Sequence, residues 1–233
     1  MKRWLVISCS INLVLLVLGS WAIQRLGGWR YSLQRLQHDE SSLYAHRRQL
    51  FEQLPIQPDA IIFLGDSQTA LCEWWELCGD TLPVLNRGIV GEQVNGIQQR
   101  LAEILRHRAA KIFLLVGVND LLFGKSAAEV EIRYRELVSQ IRTKAPSTQL
   151  VLESILPVNN QIKNVGIQNA QIQDMNVRIA QIAMDFSLPF VDIYSALTDP
   201  AGDLAARFTE DGLHLNGAGY AVWKQQLMPF LKQ

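Results

Sequence analysis

From residue 60 onward, short apolar runs alternate with longer amphipathic stretches. The apolar runs occupy positions 60–64, 82–86, 111–117, 149–155 and 189–193. The amphipathic stretches lie near positions 68–77, 92–107, 126–145, 168–186 and 217–231. Buried parallel strands appear in sequence as continuous apolar runs, whereas helices repeat their apolar positions every three or four residues. The alternation therefore predicts βαβ units, with a parallel sheet covered by helices on both faces.

The N-terminus has a different pattern. Twenty residues without a charge, from Trp4 to Ile23, follow Met1-Lys2-Arg3. A helix of that length is about 30 Å long, which is the apolar thickness of a bilayer. We expect residues 1–23 to form a transmembrane helix that anchors the protein in a membrane. A cleaved signal peptide is the alternative, because small residues near position 22 could precede a cleavage site.

Basic residues flank the predicted span on both sides. Lys2 and Arg3 favour a cytoplasmic N-terminus, although Arg25, Arg30 and Arg35 follow the span. We expect the remaining chain to lie outside the cytoplasm, anchored by the single helix or secreted after signal cleavage. Residues 24–58 show helical spacing of apolar positions and are predicted to form a stalk. Residues 59–233 form the predicted α/β domain.

Composition excludes several classes of function. The chain carries 22 basic and 22 acidic residues, so its charge gives no reason to expect a nucleic-acid partner. The sequence holds no metal-binding or phosphate-binding motif, and we expect neither a metal nor an organic cofactor. Cys72 and Cys78 could pair in an exported protein, but the pattern favours one shared helix, along which they would be about 9 Å apart. Whether they pair stays open.

A serine and a histidine stand out as candidates for nucleophilic catalysis. Ser67 follows the apolar run that ends at Gly65, at the carboxyl end of a predicted strand, where open α/β sheets bind their ligands. A serine hydroxyl needs a base to take its proton, and a histidine needs an acceptor to hold its tautomer. His214 lies in a turn before the last helix, three residues after Asp211. The other three histidines lie in charged stretches: His38, His46 and His107.

Acyl transfer also requires donors for the developing oxyanion, and three candidates follow consecutive strands. One is the backbone N–H of Ser67. The second lies in the segment 86–92, where Gly88 or Gly91 could offer a backbone amide, or only shape a turn. The third is the side chain of Asn119, which with Asp120 could instead cap the next helix.

These segments resemble the sequence blocks of the GDSL esterase/lipase family, the SGNH hydrolases. The matching segments are Gly65-Asp66-Ser67, Asn86 to Glu92, Gly117-Val118-Asn119-Asp120 and Asp211-Gly212-Leu213-His214. The block Asn86-Arg87-Gly88-Ile89 and the compact size of the domain are similar to the branch of platelet-activating-factor acetylhydrolase-like and lysophospholipase-like members. The resemblance implies a three-layer α/β/α, flavodoxin-like fold with a five-stranded parallel sheet of order 2-1-3-4-5.

The resemblance also implies a role for each site residue. Ser67 would be the nucleophile, His214 the base and Asp211 the residue that orients the base. The Ser67 N–H, the Gly91 N–H and the Asn119 side chain would form the oxyanion hole. One departure from the family pattern is Gln68, which stands where the family usually has leucine or isoleucine.

The sequence thus predicts a membrane-anchored serine esterase. Its substrate would be a lipid or a short-chain acyl ester, hydrolysed through an acyl-enzyme. The alternatives are an O-acetylesterase or acyltransferase acting on cell-envelope sugars, and a non-catalytic anchored binding domain.

Overall fold

The computed structural model describes residues 42–78 and 83–231, together with the single positions Trp4 and Asn12. Apart from those two positions, the predicted membrane helix lies outside the described residues, as does the first part of the predicted stalk. Among the residues that are described, no helix is both long enough and apolar enough to cross a bilayer. A compact unit begins at Arg47 and contains the whole α/β domain.

Within the described residues, one sheet of five parallel strands has the order β2-β1-β3-β4-β5, which confirms the predicted order. The strands are β1 Ile61–Gly65, β2 Val84–Gly88, β3 Lys111–Leu115, β4 Gln149–Glu153 and β5 Phe190–Val191. Gly65 at the end of β1 is in register with Gly88 on one side and Leu115 on the other. The carboxyl ends of the three strands are therefore level, and the loops that follow them meet at one edge.

Helices connect the strands at both faces of the sheet. They are α1 (described over 42–53), α2 Ser67–Ala70, α3 Trp74–Cys78, α4 Val94–Gln99, α5 Leu101–Leu105, α6 Val118–Leu122, α7 Ala127–Lys144, α8 Asn169–Asp185, α9 Tyr194–Leu197 and α10 Gly217–Leu231. A 3₁₀ turn covers Ala206–Phe208. The long stretches near 126–145, 168–186 and 217–231 are helices as predicted.

Two stretches predicted as single helices are each broken in two. The stretch near 68–77 bends at Cys72, and the indole N–H of Trp74 donates back to the carbonyl of Thr69. Cys72 therefore precedes α3 rather than sharing a helix with Cys78, and both thiols are free. The stretch near 92–107 breaks at Arg100, whose buried side chain turns inward to Glu92 and to the carbonyl of Arg87.

The two faces of the sheet bury separate cores, which gives three layers. On β1, Ile62 and Leu64 pack with α4, α5, α7 and α8. The alternate residues of β1, Ile61 and Phe63, face α3 and α10. Phe63 stacks on Trp74 with ring centroids 3.9 Å apart, one of several contacts between aromatic rings in the second core. Because side chains alternate across a strand, every central strand contributes to both cores.

The end of α1 is fastened to the domain by arginines. Phe51 is buried and lies beneath the guanidinium groups of Arg87 and Arg100, at 4.6 and 5.8 Å from its ring centroid. Arg106 donates to the carbonyl oxygens of Phe51 and Leu54, which lack helical partners at a helix end. The last turn of α1 thus belongs to the packed domain.

His107 follows α5, in the segment that leads to β3. It is fully buried, and its Nδ1 accepts the backbone N–H of Gln57 at 3.0 Å. Its Nε2 lies 3.1 Å from Arg87 and 3.4 Å from Glu103. The imidazole is therefore part of a buried polar cluster that holds the segment before β1.

Candidate active site

The strand-to-helix turn after β1 presents Ser67 at the edge of the sheet. Asp66 caps α2, because its Oδ1 accepts the N–H of Gln68 at 3.0 Å. Ser67 is the first residue of α2 and is 6% exposed. Its own N–H has no acceptor among the described residues, as expected for the first turn of a helix. The hydroxyl and the backbone N–H of Ser67 therefore lie at the same edge of the sheet.

The turn before α10 brings a histidine and a carboxylate to that serine. His214 Nε2 lies 3.0 Å from Ser67 Oγ, and His214 Nδ1 lies 2.8 Å from Asp211 Oδ2. The other carboxylate oxygen, Asp211 Oδ1, accepts the N–H groups of Leu213 and His214 at 2.9 and 2.8 Å. The three residues predicted from sequence are therefore joined by hydrogen bonds, with the carboxylate fixed by backbone donors.

Hydrogen bonding determines the charge state of Asp211. Partial burial acts to raise its pKa, but the bonds from the His214 ring and from the N–H groups of His214 and Leu213 outweigh that effect. The pKa of Asp211 is lowered to about 2. The carboxylate is ionised at neutral pH and accepts the Nδ1 proton of the imidazole, which leaves Nε2 free to accept a proton from Ser67.

The family resemblance assigned Gly91 rather than Gly88 to the oxyanion hole, and the backbone N–H groups of these two glycines differ in the structure. The N–H of Gly88 donates to Asn86 Oδ1 at 2.9 Å, so it is already used. A Cβ added at Gly88 would lie 2.7 Å from the Cα of Ala70, which explains a glycine where β2 passes α2. Gly91 has a φ of 77°, and its N–H has no acceptor among the described residues. Gly91 is the available donor.

Asn119 is tied to the segment that carries Gly91. Its Nδ2 donates one N–H to the carbonyl of Glu92 at 2.9 Å, which leaves its second N–H for another acceptor. Asp120 has a different role: its Oδ2 accepts the N–H of Val94, and its Oδ1 pairs with Lys125 at 2.6 Å. Asp120 therefore caps α4 and connects the loops that follow β2 and β3.

Two buried carboxyl groups near this edge, those of Glu92 and Asp66, differ in whether a basic side chain pairs with them. Arg100 pairs with Glu92 at 2.7 Å, and both side chains are 1% exposed. Asp66 is also buried, and no basic side chain pairs with it in the part of the chain that the structure describes. Burial raises the pKa of Asp66 to about 7, against the lowering effect of the Gln68 N–H, and the carboxylates of Glu92 and Asp120 raise it further.

Three residues near the site were not assigned a role from the sequence. Gln68 donates its side-chain N–H to the carbonyl of Leu213, and the hydroxyl of Tyr220 donates to the backbone carbonyl of Gln68 at 2.7 Å. Arg100 supports the segment 86–92. A polar residue at position 68 was the one sequence signal, because the family usually has an apolar residue there. Nothing in the pattern marked Arg100 or Tyr220.

Among the described residues, the one histidine hydrogen-bonded to Ser67 is His214. His46 is exposed on α1, His107 belongs to the buried cluster, and His38 lies outside the described residues. In the described part of the chain, no group of three or more histidine, cysteine or acidic side chains is arranged to hold a metal ion. The chemistry that the arrangement offers is nucleophilic attack by a serine, with an imidazole as base.

Known proteins are similar to this chain in sequence. The profile of the GDSL-like Lipase/Acylhydrolase family matches residues 63–222. Platelet-activating factor acetylhydrolase IB subunit alpha2 of Rattus norvegicus is 25% identical over 197 residues, which cover 82% of this chain and 83% of that protein. The range matched by the family profile, residues 63–222, includes every residue of the candidate site.

Solved structures share the fold. A structure from Streptococcus pneumonia, described as a candidate platelet activating factor, has a TM-score of 0.75 and 30% identity, covering 91% of this chain and 99% of that chain. A GDSL-like lipase from Bacteroides thetaiotaomicron has a TM-score of 0.68 and 19% identity, covering 81% and 97%. At 19% identity the likeness concerns the fold alone.

Proposed function

Because this chain belongs to the GDSL-like lipase/acylhydrolase family and is a carboxylic ester hydrolase, we propose that it works through Ser67, His214 and Asp211. The observation that supports this most is the unbroken hydrogen-bond path from Ser67 Oγ through the His214 ring to Asp211 Oδ2, with separations of 3.0 and 2.8 Å. A nucleophile, a base and an orienting carboxylate at such distances are what covalent acyl transfer requires.

In the first half of the reaction, Ser67 Oγ attacks the carbonyl carbon of the ester while His214 Nε2 takes the hydroxyl proton. Asp211 stabilises the imidazolium that results, and its low pKa keeps it ionised throughout. The tetrahedral intermediate collapses when His214 returns the proton to the alkoxide leaving group. The products of this step are an alcohol and an acyl group bound to Ser67.

The developing oxyanion would be held by the N–H groups of Ser67 and Gly91 and by the second side-chain N–H of Asn119. The support for these roles is that both backbone donors have no acceptor within the described residues. Asn119 is oriented by its bond to Glu92, in the segment that carries Gly91. Donors that are oriented before the reaction stabilise the transition state without reorganising.

In the second half, His214 takes a proton from water, and the resulting hydroxide attacks the acyl carbonyl. The same donors hold the second oxyanion, and the proton then passes from His214 to Ser67 as the carboxylic acid leaves. Every proton is returned by the end of the cycle. No further group is required to balance either half-reaction.

The experiment that tests the nucleophile compares Ser67→Ala with Ser147→Ala, which makes the same change in an exposed turn before β4. With p-nitrophenyl acetate, Ser67→Ala should lose turnover, and Ser147→Ala should match the wild type. A fluorophosphonate should label the wild type on the peptide that carries Ser67. Wild-type turnover in Ser67→Ala would overturn the proposal, and so would wild-type protein that neither turns over ester nor takes the label.

For the substrate, we propose an ester with a small acyl group on a lipid or a lipid-like alcohol. The name of the rat relative, an acetylhydrolase of platelet-activating factor, supports a short acyl group. A series of p-nitrophenyl esters from acetyl to decanoyl tests the acyl side, and kcat/KM should be highest for the shortest members. A maximum at decanoyl would overturn this part of the proposal. Preference for an acetylated sugar over an acetylated lipid would favour the O-acetylesterase alternative.

Membrane anchoring and an extracytoplasmic site also remain proposals. They rest on the uncharged segment from Trp4 to Ile23, most of which lies outside the described residues. Protease treatment of sealed cells should digest the domain if the proposed orientation holds. Protection of the domain from external protease would overturn that orientation, and recovery of the protein from the medium would favour signal cleavage.

A further inference from the structure

Gln68 joins the nucleophile turn to the turn that carries the base. Its Nε2 donates to the carbonyl of Leu213 at 2.5 Å, across 145 positions of sequence. The side chain is 2% exposed, so water does not compete for this bond. The orientation of the amide group is unambiguous, because a backbone carbonyl can only accept and must face the NH₂ end.

The peptide group that Gln68 holds belongs to His214. The carbonyl of Leu213 and the N–H of His214 are the two ends of one planar unit. Gln68 binds the carbonyl end, and Asp211 Oδ1 accepts the N–H end at 2.8 Å. Held from opposite sides, this peptide group is restrained in both position and orientation, and so is the backbone from which the His214 side chain extends.

Two hydrogen bonds therefore run side by side between the same two turns. One joins Ser67 Oγ to His214 Nε2, and the other joins the neighbouring Gln68 to the neighbouring Leu213. The backbone carbonyl of Gln68 is held in addition by the hydroxyl of Tyr220, from the helix that follows the base. Residue 68 is bound through both its side chain and its backbone to the C-terminal segment.

We infer that Gln68 is a positioning residue that sets the distance between Ser67 and His214 by fixing the His214 peptide. The inference rests on the proposed roles of those two residues. A purely structural role fits poorly, because Gln68 Oε1 is buried and has no hydrogen-bond partner among the described residues. A buried acceptor without a donor lowers stability, and an apolar residue at this position would avoid that loss.

The test compares Gln68→Met, which keeps the length of the side chain and removes the donor, with Gln181→Met, which makes the same change on the exposed surface of α8. For Gln68→Met we expect kcat to fall by about 10- to 100-fold with KM within about twofold, because small displacements of catalytic groups are costly. The thermal midpoint should change little, because the substitution removes the unpartnered Oε1 but also leaves the Leu213 carbonyl without its donor. Gln181→Met should match the wild type.

A second variant makes the donor depend on pH. In Gln68→Glu, the ionised carboxylate cannot donate to the carbonyl of Leu213, whereas the protonated acid can. The ratio of kcat in Gln68→Glu to kcat in the wild type should therefore rise as pH falls. The corresponding ratio for Gln68→Met should not change with pH.

Three outcomes would overturn the inference: wild-type kcat in Gln68→Met, a loss of kcat that tracks a fall in its thermal midpoint, or a pH-independent ratio for Gln68→Glu. Ser67→Ala, assayed in parallel, separates this failure from failure of the proposed function. If Ser67→Ala is inactive while Gln68→Met is as active as the wild type, the nucleophile stands and the role of Gln68 does not. If Ser67→Ala is active, the proposed function itself fails.

Discussion

The carboxylate of Glu92 and the guanidinium of Arg100 form an ion pair at 2.7 Å in which both side chains are 1% exposed. Arg100 also donates to the carbonyl of Arg87, and Glu92 offers its backbone carbonyl to Asn119. The pair therefore supports the segment 86–92, which contains Gly91. Two charges buried at this depth are stable only together, because each would otherwise lack the hydration it had in water.

Arg100→Met should destabilise the fold by about 3–5 kcal/mol, because it leaves the charge of Glu92 buried without its guanidinium. The matched control is Arg48→Met, which breaks an exposed pair with Glu52 on α1 and should cost about 0.5 kcal/mol or less. Urea unfolding of the three proteins measures the difference. Replacing Glu92 by Met in the same chain should recover part of the loss, and equal effects at positions 48 and 100 would contradict the prediction.

Asn119→Ala should lower kcat by about 100- to 1,000-fold, the usual effect of removing one oxyanion donor. The bond to the Glu92 carbonyl is lost as well, so a thermal unfolding curve must accompany the kinetics. If Asn119 acts on the transition state, KM should change much less than kcat. A variant that binds substrate weakly and turns it over at the normal rate would show that Asn119 serves binding instead.

Asp211→Asn should lower kcat by about 1,000- to 10,000-fold through the tautomer of His214. The N–H groups of Leu213 and His214 require an oxygen at Oδ1, so the new amide would face the ring with its NH₂ group. Nδ1 would then have to accept, and Nε2 would carry the proton and could not take one from Ser67. Kinetics with p-nitrophenyl acetate measure the loss, and activity near the wild-type level would contradict the proposed role of Asp211.

Glu153 should make stability depend on pH in the opposite sense to an ion-paired acid. Burial raises its pKa to about 8, although the indole of Trp223 donates to it. The folded state therefore holds this proton more tightly than the unfolded state. Its contribution to stability is complete below the unfolded pKa of about 4.5 and is lost as pH rises through about 8, at no more than about 1.4 kcal/mol per pH unit.

Glu153→Gln should consequently be more stable than the wild type at pH 9 and about equally stable at pH 4. Chemical denaturation at a series of pH values gives the comparison. Glu136→Gln makes the same change on the exposed surface of α7 and should show no such trend. A constant difference between Glu153→Gln and the wild type across this range would mean that the carboxyl is not buried as a neutral acid.

Much of the fold was predictable because strands and helices differ in their apolar period. The runs that became β1, β3 and β4 were found within a residue or two at their starts, and the order of the strands followed from the family resemblance. The break at Arg100 was not predictable. Arg100 forms a buried ion pair with Glu92, eight residues earlier, and a periodic pattern carries no information about such a pair.

The candidate site was predictable where residue type and chemistry coincide, as for Ser67 and His214. The choice of Gly91 over Gly88 came from the family resemblance, and the structure adds a physical reason for it, because the Gly88 amide is bound to Asn86. The link from Gln68 to Leu213 joins positions 145 residues apart. A contact of that kind follows from the completed fold, so a single sequence cannot supply it.

The fastening of α1 has a practical consequence for anyone preparing this protein. Phe51 packs beneath two guanidinium groups, and Arg106 donates hydrogen bonds to the carbonyl oxygens of Phe51 and Leu54. A fragment trimmed to the first residue of β1 would expose those arginines and the imidazole of His107 to solvent. A cloning boundary at or before Arg47 retains them in their native surroundings, and so preserves the support of the loop that carries Gly91.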